Sequence, residues 1–368
     1  MNREVSTYLD CARVLAAILV VFDHVQVNWA GAWHFFVPLG SEAVAVLFVI
    51  SGFVISYASS ERETNMRDYL LSRAARLYSI LIPSLLLCLF LDIAGQHFMP
   101  HYYANNWPPL HSESDQILEG LYSLTFLGRA WGGLGWALGG TAWPGSMVPY
   151  WTLPFEVTYY LAFGAAWYLR GGRRLLMFVA VCAIAGPAGL AFLPLWLIGV
   201  VTHRLSLAMV LSVATGRTIC IVAILIGLIT NIIANHSGFT FGFSNDVLAL
   251  WPYYAVGLWF ALLTIGFSFS GLMISNYIGW MRWWAGASAT LYLVHFPLGR
   301  FIDGLLPETI HTKLRALAIV LSVIGVTLIV AAFGERRKAV FRCWIEAGYD
   351  WVQARMERFV FEKLKQNQ

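Results

Sequence analysis

Ten stretches of mostly apolar residues recur along the 368-residue chain, separated by polar connections. They run over about 8–28, 38–58, 75–95, 148–169, 174–190, 190–203, 218–235, 247–270, 284–303 and 314–333. A helix needs roughly 20 such residues to cross the hydrocarbon core of a bilayer. The pattern predicts an all-α, polytopic helical membrane protein with about ten transmembrane helices. Gly186, Pro187, Gly189 and Pro194 interrupt the fifth and sixth runs, which form either two short spans or one long span with a re-entrant piece.

Two segments fall outside the spans. Residues 96–147 form a long connection rich in Gly, His97, His101, His111, Trp107, Trp131, Trp136 and Trp143. Connections of that length are usually functional or disordered. After the last span, Phe341, Trp344, Ile345, Val352, Met356, Phe359 and Val360 recur at helical spacing among Arg and Lys. That arrangement suits a basic amphipathic helix on an anionic membrane surface. The chain therefore divides into a membrane domain, residues 1–334, and a cytoplasmic tail, residues 335–368. Internal repeats and low-complexity tracts are absent.

Composition supports the membrane reading. Apolar residues make up 59% of the chain and charged residues only 12%, against about 25% charged in soluble domains. Sixteen Trp and sixteen Tyr supply rings of the kind that collect at membrane interfaces. A net charge of +4 gives no reason to expect nucleic acid as a partner. The five cysteines are odd in number and have no metal-ligand spacing, so they read as reduced core residues. The first run carries Asp10, Arg13, Asp23 and His24 and lacks a cleavage pattern, so it is expected to be retained as a helix.

Charge sets the expected orientation. With both termini in the cytoplasm, 19 of the 24 Lys and Arg residues lie on the inner side and 4 on the outer, with Arg13 inside a span. That asymmetry follows the positive-inside rule. It places residues 96–147 outside the cell membrane.

Ionisable residues inside a span are costly and mark function by default. At 100° per residue, Arg13 and His24 return to nearly the same face, separated by a rise of about 16 Å. Asp10 lies three residues before Arg13 and joins that stripe, whereas Asp23 points away by about 100°. The stripe forms the wall of a polar path across the membrane. The structural alternative is an Asp10–Arg13 ion pair with His24 hydrogen-bonded to a neighbouring helix. Histidine suits proton transfer or transient acyl carriage. Arginine presents a planar fork for a carbonyl, carboxylate or phosphate.

Further polar residues sit near span ends. Glu42 and Ser51 flank the apolar run of the second span. Arg73 and Arg76, one turn apart at the start of the third, suit an anion clamp or ordinary positive-inside anchoring. Glu156 follows Trp151 in YWTLPFEVTYYL, and His295 lies in SATLYLVHFPL just before Pro297, where a structural role is the more common one.

These segments, taken in order, resemble the acyltransferase 3 family of membrane O-acyltransferases. The Arg-x10-His spacing is held by Arg13 and His24. VLFVISGF at 46–53 matches the end of the family's second span. Arg73, Arg76, Leu77 and Tyr78 match the opening of its third, with Ser79 where proline often stands. Trp151, Thr152, Leu153, Glu156, Tyr159 and Tyr160 match a Trp-Ser-Leu…Glu…Phe-Tyr segment, with Thr in place of Ser. Leu291 to Pro297 match Ser-Leu-Tyr-Leu-x-His-x-Pro, and Glu335-Arg336 is similar to a Glu-Lys/Arg-Pro ending without its proline. Ala45 stands where many members carry an acid, with Glu42 one turn earlier.

The resemblance implies transfer of an acyl group, most often acetyl, from cytoplasmic acyl-CoA to a hydroxyl of an extracytoplasmic carbohydrate or lipid-linked glycan. Acetyl-CoA is then the co-substrate, and no metal is expected. Membrane lipid, acyl-CoA and the glycan acceptor are the expected partners, and the inner (plasma) membrane is the expected location. The stripe and the resemblance together nominate His24, Arg13, Asp10 and Glu156 as catalytic. They nominate Arg73, Arg76, Ser51, Glu42, Trp151, Tyr160 and His295 as substrate-binding. A proton-coupled transporter would also use an intramembrane Asp, Arg and His, although the two related halves common in transporters are not visible.

Overall fold

The computed structural model describes residues 2–25, 39–128, 143–237 and 250–366, with side chains not described at 231–237 and 357–366. Arg129, Trp131 and Trp136 of the expected outer segment therefore lie outside the described residues, as do the side chains of Phe359 and Val360. The expected span edges at 26–28, 38 and 247–249 lie outside them too.

The described chain is helical, with no strand among the described residues. Its helices are α1 (Arg3–His24), α2 (Gly40–Glu61), α3 (Met66–Phe98), α4 (Pro100–Asn105), α5 (Glu113–Ser123), α6 (Thr152–Tyr168) and α7 (Gly171–Ala208). They continue as α8 (Val213–Ser237), α9 (Trp251–Phe269), α10 (Ser275–Ile278), α11 (Met281–Ala285), α12 (Ser288–Leu305), α13 (Thr312–Phe333) and α14 (Lys338–Gln366). Helix is what an apolar environment demands, because it satisfies every backbone donor and acceptor within one segment.

Seven helical segments among the described residues are long and apolar enough to cross a membrane. They are Arg3–His24, Gly40–Glu61, Met66–Phe98, Gly171–Ala208, Val213–Thr230, Trp251–Phe269 and the continuous run Thr312–Met356. Helices α6 and α12 lie outside this group because they are short and carry polar groups. In α12 those groups face inward: every residue from 291 to 300 is buried.

The long helix α7 contains a reversal. Gly186 has φ 67° and ψ −179°, a backbone conformation that a Cβ disfavours. Beyond it, the Tyr159 hydroxyl donates to Gly189 O at 2.7 Å, Phe163 meets Trp196 at 5.8 Å between rings, and the Arg204 guanidinium lies 4.4 Å from the Trp167 ring centre. Residues 187–208 therefore run parallel to α6. Before the glycine, Ala185, Ile184 and Val181 share a crevice with Phe155, Val157 and Thr158, so residues 171–185 run antiparallel to it. The interrupted stretch is two opposed limbs joined at Gly186.

Helix α2 and the second limb of α7 approach backbone to backbone. A Cβ at Gly52 would collide with the Trp196 carbonyl, and one at Gly199 with the Val49 carbonyl. Small residues permit such contact between helices in lipid, where dispersion and close packing drive association. The approach brings Trp196 beside Ser51.

The start of α1 and the first part of α14 lie on one face of the bundle. Glu4 of α1 accepts hydrogen bonds from Ile274 N and Ser275 N at 2.6 and 2.8 Å. The tail forms helix α14 and packs on the start of α3, through Arg342–Asp68 at 3.4 Å and Arg67–Asp350 at 2.9 Å. Phe341 is buried, whereas Trp344, Val352 and Met356 stay exposed. We call this the basic face.

Candidate active site

Five helices, α1, α2, α3, α6 and α12, enclose a cavity of about 680 Å³, counted to its open mouth. Arg13 of α1, Ser51 of α2, Arg76 of α3 and Glu156 of α6 line it, with Thr152, Ser288 and Tyr292. Its walls are mostly apolar with a few convergent polar groups, as in small-molecule sites.

Ser51 is the hub. Its hydroxyl donates to Glu156 Oε1 at 2.6 Å and accepts from Trp196 Nε1 at 3.2 Å. The Tyr160 hydroxyl donates to the same Glu156 oxygen and lies 3.2 Å from Ser51 Oγ. Residues from α2, α6 and α7 thus fix one carboxylate oxygen at the cavity wall.

The two arginines of the wall are uncommitted. Neither the Arg13 nor the Arg76 guanidinium makes an ion pair or hydrogen bond with a described residue. Arg13 interacts electrostatically with Arg76, Asp10 and Glu335, and Arg76 with Tyr160, Glu156 and Glu335. Lys338, at the start of the tail helix, adds its charge beside Arg76 and Arg13. Glu335 itself accepts from Thr290 N at 3.0 Å and Thr290 Oγ1 at 2.9 Å, which caps the start of α12. Guanidinium forks that face a cavity without a carboxylate partner suit an anionic or carbonyl-bearing ligand.

Arg73 turns elsewhere. Its guanidinium pairs with Glu63, both buried, and stands over the Tyr69 ring at 5.2 Å and the Tyr160 ring at 6.0 Å. Arg73 and Arg76 therefore do not act as one clamp in this structure: one braces the α2–α3 connection and the other faces the cavity.

His24 lies beyond the cavity, toward the face opposite the basic one. Its Nδ1 donates to Val20 O at 2.9 Å, as a carbonyl can only accept. Its ring meets that of His295 at 4.9 Å and 61°, and that of Phe296 at 5.5 Å and 85°. His295 is buried, with Nδ1 directed at Tyr292 O at 2.8 Å and Leu291 O at 3.2 Å. Those carbonyls fix its tautomer, and its Nε2 is an acceptor with no hydrogen-bond partner among the described residues. Tyr292 connects the two regions: it lines the cavity, and its ring lies 6.2 Å from that of His295.

The remaining nominated residues divide. Trp151 is buried in an aromatic group with Phe48, Phe155 and Phe192 and does not line the cavity. Asp10 lies outside the cavity wall and interacts with Arg13 and Arg282. Glu42 sits near Asp23 at the end opposite the basic face, with Oε2 buried and without a hydrogen-bond partner among the described residues. Asp23 accepts the Gly40 backbone N–H at the start of α2. Sequence reasoning passed over Trp196, Glu335, Lys338 and Tyr292 as site residues. Tyr292 carried a signal, since it stands one turn before His295 on the same helix. Trp196 carried none, because its role depends on the glycine contact between α2 and α7.

No curated protein and no solved structure matches the chain. The family model described as an acyltransferase domain matches residues 6–335, which includes every residue of the cavity and the histidine pair. The chain belongs to the acyltransferase 3 family and is a membrane acyltransferase.

Proposed function

We propose that the protein carries an acetyl group from cytoplasmic acetyl-CoA across the inner (plasma) membrane to a hydroxyl of an extracytoplasmic glycan. The observation that carries this reading is the pair of uncommitted guanidinium groups, Arg13 and Arg76, facing one cavity on the basic side of the His24–His295 pair. In this reading the chain makes ten passes with both termini in the cytoplasm, in keeping with the 19 to 4 bias of Lys and Arg. Arg76, Arg13 and Lys338 receive the phosphates or thioester carbonyl of the donor. The pantetheine arm passes Ser51, Glu156 and Tyr292 toward His24.

His24 then acts on the acceptor through the ring nitrogen that Val20 does not hold. As a general base it takes the hydroxyl proton while the new C–O ester bond forms and the thioester C–S bond breaks. The proton passes on to the departing CoA thiolate. As an acyl carrier, the same nitrogen holds the acetyl group between two displacements.

The experiment is acetyl transfer by the purified full chain in lipid nanodiscs, supplied with labelled acetyl-CoA and de-O-acetylated surface polysaccharide. The expected result is release of one CoA per acetyl ester formed, abolished by His24→Ala. Binding of acetyl-CoA without CoA release, or undiminished transfer by the variant, overturns the proposal.

A further inference from the structure

Directly outward of His24 stands a column of aromatic rings that the acyl-donor site does not use. Phe296 touches His24 at 5.5 Å, Trp107 touches Phe296 at 5.7 Å and 87°, and Trp143 touches Trp107 at 6.0 Å and 66°. None of these contacts stacks ring on ring, and Trp107 is 55% exposed. The exposed part of the Trp107 indole is thus open to a ligand approaching from that side.

The column is built rather than incidental. Arg300 of α12 is 0% exposed, and its Nη2 donates to Tyr103 O at 3.0 Å and Asn106 O at 2.9 Å. Its guanidinium also covers the Tyr103 ring at 4.3 Å. The Tyr102 hydroxyl donates to Asp303 Oδ2 at 2.7 Å, one turn further along α12. These bonds hold the end of α4, and so the next residue Trp107, to the same helix that carries His295 and Phe296. A tryptophan that merely anchors the protein in an interface needs no buried arginine to fix its register against the reacting histidine.

We propose that Trp107 and Trp143 form the acceptor subsite, and that the acceptor is a pyranose ring of a glycan. The inference rests on the acyl-transfer reading above and adds the residues that select the acceptor. A pyranose has a flat C–H face with partial positive charge and a rim of hydroxyls. The C–H face suits the negative face of an indole. Stacking on Trp107 presents the rim edge-on, two ring contacts from His24. Arg300 is a positioning residue: it acts through the backbone of residues 103 and 106 and does not touch the sugar.

The test uses the full chain in nanodiscs, with de-O-acetylated surface polysaccharide as one acceptor and dodecanol as the other. Trp107→Ala is expected to raise KM for the polysaccharide at least about ten-fold, from loss of roughly 1.4 kcal/mol of contact. KM for acetyl-CoA and transfer to dodecanol should stay at wild-type levels, and Trp107→Phe should restore most of the loss. A wild-type polysaccharide KM for Trp107→Ala overturns the subsite, and marks Trp107 as an interfacial anchor. Wild-type transfer to dodecanol but not to polysaccharide overturns the sugar assignment while leaving acyl transfer intact. Failure of the wild type to release CoA with either acceptor overturns the acyl-transfer reading and the subsite with it.

Discussion

His24 and His295 meet edge to face at 4.9 Å between ring centres, each with its Nδ1 held by backbone carbonyls of its own helix. The two rings are thereby fixed in tautomers that direct their Nε2 atoms away from the helix backbone. The proposed reaction has His24 take a proton, and His295, whose Nε2 has no hydrogen-bond partner among the described residues, is the ring beside it.

His24→Ala is expected to lower acyl transfer by about 100- to 10,000-fold, the usual contribution of a positioned general base. His295→Phe should lower kcat by about 10- to 100-fold, the worth of one hydrogen bond to a charged group. Its KM for acetyl-CoA should not change, and His295→Gln, which keeps an acceptor, should recover part of the loss. Steady-state kinetics in nanodiscs separates these effects. Equal damage from Phe and Gln would show that His295 fills space and nothing more.

Arg76 and Arg73 should respond differently to the same change. Arg76→Gln is expected to raise KM for acetyl-CoA by about 10- to 100-fold, through loss of a charge-assisted contact to the donor. Arg73→Gln leaves Glu63 buried without its partner, which costs about 3–5 kcal/mol of stability. Its KM should hold, and Glu63→Gln in the same chain should restore the melting temperature. Donor titrations beside thermal unfolding in detergent distinguish the two. A large KM change in a stable Arg73→Gln chain would return that residue to the donor site.

Ser51→Ala removes the acceptor of the buried Trp196 Nε1 and one of the two hydroxyl donors to Glu156. A stability loss of about 1–3 kcal/mol is expected from the stranded donor. Trp196→Phe in the Ser51→Ala background should cost less than the two single changes added together, because they share one interaction. A double-mutant cycle by thermal unfolding measures this, and strict additivity would mean that the indole and the hydroxyl are not coupled.

Gly199→Ala places a methyl against the Val49 carbonyl. Overpacking costs about 1–3 kcal/mol, and a backbone neighbour places this site toward the upper end. The loss should appear as a lower melting temperature together with weaker transfer, since α2 carries Ser51. An unchanged melting temperature would mean that α2 and α7 do not approach as closely as described.

The sequence by itself determined the helical membrane character, the family and the cost of Arg13 and His24, because hydropathy, short motif spacing and charge asymmetry are local along the chain. It also identified the break at Gly186, whose neighbouring prolines and glycine interrupt the apolar run. Residues three or eleven apart could be assigned to one helical face, which grouped Arg13 with His24 and Arg73 with Arg76 by phase without saying what each side chain meets. Tertiary structure alone decided what each face meets. It paired Arg73 with Glu63 and left Arg76 to the cavity, joined Ser51 to Trp196 through 145 residues of chain, and set His295 and the Phe296–Trp107 column against His24. Those outcomes depend on helix rotation and on which backbones approach closely enough to touch. Neither is specified within one segment, because both are set by packing among segments far apart in the chain.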